Sequence, residues 1–94
     1  AAQDAPALIP HRVTAHIKLV EAAQRSGDKF GELFHRGVGL LLVVQQLDGA
    51  KDRDAEFCEE MLCKALRALA EARELKPGDP RVRAYLAEAH ARAG

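Results

Sequence analysis

The stretch AEFCEEMLCKALRALAEAREL, residues 55–75, limits the fold more than any other part of the chain. Cys58, Met61, Leu62, Ala65, Leu66, Leu69 and Ala72 recur at three- and four-residue spacing, which lines them up along one side of an α-helix. The other side carries Glu59, Glu60, Lys64, Arg67, Glu71 and Glu74. A helix with one apolar stripe needs partners to cover that stripe. The next residues, KPGDP at 76–80, end it. Pro77 disfavours helix at Lys76, while Asp79 and Pro80 supply a cap and a first-turn proline for a new helix. That helix, 80–93, turns Val82, Leu86 and Ala89 inward.

The first half of the chain reads the same way. Val13, Ile17, Val20 and Gln24 mark a short amphipathic helix over 11–26, stopped by SGD with Gly27 as its C-terminal cap. A second helix, 29–47, carries Phe30, Leu33, Phe34, Gly37, Val38, Leu41 and Val44 on one face. Its second half, VGLLLVVQQL, is apolar nearly all round, so two neighbours are expected to flank it. Gly37 and Gly39 each cost about 1 kcal/mol against alanine in mid-helix, which is repaid if a neighbouring helix comes close. DGAKDRD at 48–54 reads as a loop in which Asp52 or Asp54 caps the third helix. Residues 1–10, AAQDAPALIP, hold two prolines and no periodicity and read as an extended arm. No strand pattern competes. The expectation is an all-α chain with one domain at 11–94, built of four antiparallel helices near 11–26, 29–47, 55–75 and 80–93.

Composition excludes several functional classes. A chain of 94 residues with 48% hydrophobic and 30% charged side chains is globular, though small for a self-sufficient core. Fourteen basic and fourteen acidic residues cancel, so no long-range field draws nucleic acid, and a nucleic-acid partner is not expected. The longest aliphatic run, Leu40 to Val44, falls far short of the roughly 20 residues that span a bilayer. A soluble chain, not a membrane-spanning one, is expected. The start AAQDAP lacks Met and resembles either the mature end left by a signal peptidase or a trimmed chain, so exported (periplasmic) and cytoplasmic locations both stay open. Cys58 and Cys63, five residues apart, point about 140° away from each other on a helix and cannot pair. The absence of a disulfide framework leans towards a reducing compartment.

Chemistry-bearing patterns are few. His11 and His16 are five residues apart rather than the four that share a metal on one helix, and His35 and His90 stand alone in the sequence. Neither a metal nor a cofactor is expected. Cys58 lies on the apolar stripe as a small core residue, and Cys63, near Glu59, Arg67 and Glu74, reads as an incidental surface thiol or, in the alternative, a reactive one. Glu56, Glu59 and Glu60 form a solvated face. No nucleophile sits beside a base, so an enzyme is not expected.

The spacing of Ala65, Leu69, Ala72 and Pro77, followed by adjacent Leu86 and Ala87 and by Gly94, resembles the junction between two tetratricopeptide repeats: the second helix of one unit and the first helix of the next. The resemblance covers residues 65–94. It departs from the family upstream, because counting back the roughly 34-residue period from Leu86 lands on Asp52, in a loop. Aligning Val38 and Gly39 with the large and small positions of the first helix makes the hairpin to Ala65 longer by about four helical turns. The aromatic positions of the family are then filled by His35 and Leu42, and in the last helix by Arg83 and His90.

The resemblance implies a non-catalytic protein–protein interaction module or scaffold subunit that holds a peptide or partner helix in a groove between successive first helices. Carried over by position, that groove is lined by Leu33, Arg36, Leu40 and Val43 of the second helix and by Arg81, Ala84, Glu88 and Arg92 of the fourth. The Lys and Asn set that clamps a peptide carboxylate in one subfamily is absent. Two readings stay open beside an exposed groove: Leu40 and Val43 covered by the first helix, and a self-contained structural four-helix domain acting as a homodimer.

Overall fold

The computed structural model describes residues 9–48 and 54–93, which form four α-helices: α1 (Ile9–Ser26), α2 (Lys29–Asp48), α3 (Ala55–Leu75) and α4 (Pro80–Ala93). Among the described residues there is no strand, and the chain is all-α. Asp52 as a possible cap, most of the amino-terminal arm and Gly94 lie outside the described residues.

Three aspartates start three of the helices. Asp28 Oδ1 accepts from Gly31 N at 2.9 Å, Asp54 Oδ1 from Phe57 N at 3.0 Å, and Asp79 Oδ1 from Arg81 N at 2.9 Å. Each bond satisfies one of the amide donors that a helix leaves unpaired at its start. Two residues, Gly27 and Asp28, make the turn between α1 and α2. Gly27 adopts a left-handed conformation at φ 75°, Gly27 N donates to Gln24 O, and Asp28 N donates to Ala23 O at 2.8 Å. Asp28 therefore ends one helix and caps the next, so α1 folds straight back on α2.

α1 begins at Ile9, two residues before the expected start, and takes Pro10 into its first turn. Proline costs little there because its missing N–H would have had no helical partner. Thr14 Oγ1 donates to the Pro10 carbonyl at 3.0 Å, adding a local tie.

α2 is the spine. It packs against α1 on one side and α3 on another, and α4 lies mainly on α3. The core joins Phe30, Leu33, Phe34, Val38, Leu41, Leu42 and Val44 of α2 to Leu62, Ala65, Ala68, Leu69 and Ala72 of α3 and Val82, Leu86 and Ala89 of α4. Phe34 links α2 to α4, with Tyr85 edge-on at 5.8 Å between ring centroids. The α2–α3 crossing is tight because of Gly37: a Cβ there would lie 2.5 Å from Leu69 Cγ, and Leu69 is fully buried. Gly39 faces the other neighbour, where a Cβ would meet His16 Cβ at 3.4 Å.

α1 is held differently. Its expected apolar face is only partly covered: Val13 and Val20 are half-buried, Ile17 is 53% exposed, and Gln24 is exposed. Ala23 alone among its described side chains is buried. The reason is that α1 leans on α2 without a second helix to close over it.

Gly37→Ala should lower the unfolding free energy by about 1–3 kcal/mol, the usual cost of overpacking, because buried Leu69 has nowhere to go. Gly39→Ala should raise it by up to about 1 kcal/mol through helix propensity, since its Cβ makes ordinary contact. Urea denaturation midpoints of the two variants check both signs.

Candidate functional site

The residues expected to line one groove separate onto two faces. Arg36, Leu40 and Val43 follow one another along α2 at four- and three-residue spacing and form a ridge. This ridge lies roughly 180° around α2 from Val38 and Gln45. Those two residues, with Leu41 and Leu42, instead share a groove with Arg12 of α1 and Tyr85 and Glu88 of α4. Arg81 lines neither of the grooves that Leu40 borders. Helical spacing shows which residues share a side of a helix but carries no sign of the side on which α1 and α4 dock.

On the ridge side, α1 runs beside Leu40 and Val43 without sealing them. An apolar groove of about 280 Å³ opens between the two helices, lined by Val13, Ile17 and Val20 of α1 and Gly39, Leu40 and Val43 of α2. Glu21, Arg36, His16 and His35 add its polar groups. Arg36 also pairs with Glu32 at 2.9 Å. On its other flank the ridge borders a second groove, where Leu33, Arg36 and Leu40 meet Lys64, Arg67, Ala68 and Glu71 of α3. Leu33 itself is buried, so it supports this face rather than presenting itself on it.

The α4 residues are engaged within the chain. Arg81 forms a fork on Asp79, with Nη2 donating to Oδ2 at 3.1 Å, and its guanidinium stacks 4.8 Å above the Phe34 ring. This pairing holds the Asp79 carboxyl below its ordinary 3.8 and raises Arg81. Arg92 donates to Asp48 Oδ2 at 2.6 Å, tying the end of α4 to the end of α2, and lies 4.0 Å from Glu88. Ala84 is exposed. Beside the Arg92–Asp48 pair a cavity of about 480 Å³ is lined by Cys58, Leu62, Cys63 and Leu66 of α3 and Val44 of α2. Cys58 is buried and Cys63 exposed, as their places on the helix stripe require, and both are free thiols.

His35 does not stand alone. It meets His16 across the α1–α2 interface, with Nδ1 atoms 3.1 Å apart and ring centroids 5.3 Å apart. One imidazole donates its Nδ1–H to the Nδ1 of the other. Nineteen residues separate them in sequence, so helical spacing could not reveal the pair. Burial lowers the pKa of both from 6.5. For His16, His35 and Arg12 lower it further; for His35, Arg81 lowers it and Asp28 opposes.

Among the described residues no three or more His, Cys, Asp or Glu side chains cluster as a metal site, and no helix is long and apolar enough to cross a membrane. Compared with protein-family models, curated proteins and solved structures, the chain has no significant match.

The histidine pair should make stability depend on pH. Native pKa values lowered below the unfolded 6.5 mean that the unfolded chain takes up more protons as pH falls. The stability these rings contribute is complete above 6.5 and is lost as pH drops through the window between 6.5 and the native values. Asp79, held below 3.8, titrates outside that window. The urea midpoint should fall between about pH 7 and about pH 5, and His35→Gln should flatten that fall. An equal fall in the variant would assign it to other groups.

Proposed function

We propose that the chain is a non-catalytic protein-interaction module, built of tetratricopeptide-like helical hairpins, that holds an amphipathic partner helix along α2. The observation that carries this reading is the ridge of Arg36, Leu40 and Val43 beside an open apolar groove walled by Val13, Ile17 and Val20. α1 and α2 run side by side as helices of 18 and 20 residues, a length that matches several turns of a docked helix. Leu40 and Val43 offer apolar anchors at three-residue spacing, beside the Arg36–Glu32 ion pair.

The repeat reading draws on the junction residues. Ala65, Leu69, Ala72 and Leu86 are buried where helices meet, and Pro77 stands in the turn between α3 and α4. Gly37, rather than Gly39, is the small residue at the α2–α3 crossing, which shifts the equivalent of the family's small position by two residues. Of the residues in the family's aromatic positions, Leu42 is buried, His35 is half-buried, and Arg83 and His90 are exposed. Ala87, which the family covers, is also exposed. Because Arg81 and Arg92 are committed to Asp79 and Asp48, recognition by α4 is secondary in this reading.

Selection of a helical peptide library on the immobilised chain tests it. Enriched peptides should be apolar at helical spacing, and Leu40→Asp should weaken them by roughly tenfold or more, the loss of a buried anchor. Arg81→Glu should leave them unchanged. No enrichment, or binding indifferent to Leu40→Asp, would contradict the proposal.

A further inference from the structure

The geometry points to a transition-metal site formed by the Nδ1 atoms of His16 and His35 at the crossing of α1 and α2. Two imidazole nitrogens bound to one tetrahedral zinc ion at about 2.05 Å each stand about 3.3 Å apart. Here the two Nδ1 atoms are 3.1 Å apart, on separate helices, with the rings inclined by 38°. The pair thus holds two donors at the separation of neighbouring ligands on one ion, and binding requires both rings to turn so that their lone pairs converge on it. Both rings line the open α1–α2 groove, which gives an ion a path in and leaves its remaining positions to water.

Occupation needs no redox partner and releases no proton. The ring that donates in the hydrogen-bonded pair moves its proton from Nδ1 to Nε2, so both Nδ1 atoms present lone pairs and both Nε2 atoms carry hydrogen. Burial favours the neutral rings that a metal requires.

The surrounding charges define the class of metal. Arg12 and Arg81 act on the rings as cations, and Asp28 acts on His35 with the opposite sign. Arg81 has its charge matched by Asp79 at 3.1 Å. Such a site is no anionic trap for Ca²⁺ or Mg²⁺, which need several oxygen donors. It suits ions that bond well to imidazole nitrogen, namely Zn²⁺, Ni²⁺ and Cu²⁺. Because its ligands lie on two helices, the ion would also staple α1, the least buried helix, to the spine.

The test is titration of the chain with Zn²⁺, with Mg²⁺ as the comparison ion, using Cys63→Ser so that the exposed thiol does not compete. One zinc ion should bind, the Nδ1 resonances of His16 and His35 should shift in nitrogen NMR, and the urea midpoint should rise with zinc concentration. His16→Ala and His35→Ala should each weaken binding by at least the roughly tenfold that loss of a ligand's outer hydrogen bond costs. His11→Ala and His90→Ala should not. Absence of zinc binding, leaving a hydrogen-bonded pair only, would overturn the proposal. Zinc shifts confined to His11 or His90, or binding by either ligand variant as tight as that of the parent chain, would do the same. The NMR readout uses the natural histidines, so it decides the matter even if a variant fails to fold.

Discussion

The approach of α2 to α3 at Gly37 sets the position of everything else in this chain. With no side chain there, Leu69 lies against the backbone of α2, and Ala65 and Ala72 keep the crossing close above and below it. Close packing at that point joins Phe30, Leu33, Phe34, Val38 and Leu41 of α2 to Leu62, Ala65, Leu69 and Ala72 of α3 in one core, to which α4, lying mainly on α3, adds Val82, Leu86 and Ala89. Dispersion and apolar burial fall off quickly with separation, so a wider crossing would loosen all three helices at once. The two remaining sides of α2 are then left for α1 and for solvent.

Those two sides behave unlike the core. α1 is tethered by the tight Gly27–Asp28 turn and rests on α2 through half-buried Val13 and Val20 and the His16–His35 pair. The interface is part apolar and part titratable, and it borders the open groove that holds Leu40 and Val43. The buried core therefore lies among α2, α3 and α4, while the α1–α2 seam is half-buried and carries the titratable pair, and it is on this seam that the proposed partner and metal ion would act. α4 is held through its charges as well, since Arg92 bridges to Asp48 and Arg81 locks onto Asp79.

Much of this was legible in the sequence because local signals and periodicity agreed. The boundaries of α3 and α4, their inner residues and the left-handed Gly27 all follow from caps, prolines and apolar spacing. Pro10 looks like part of an arm because proline breaks helices in general, whereas in a first turn it does not. Asp28 was visible as a turn residue, but its second role as the cap of α2 needed Gly31 placed three residues on. The site was less legible. Arg36, Leu40 and Val43 do share a face, as their spacing required, yet the side of α2 chosen by α4 depends on how Phe34, Val38 and Tyr85 pack. The His16–His35 contact joins two helices whose relative register no short-range pattern encodes.

The central claim, a rigid α2–α3–α4 body with α1 leaning on it, is tested most directly by native-state hydrogen exchange resolved by residue. Amides in the middle of α2 and α3 should exchange only through global unfolding and should share one opening free energy. Those of α1 should open together at a lower free energy, while α2 stays protected. α1 amides sharing the global value, or α2 opening before α1, would contradict the account.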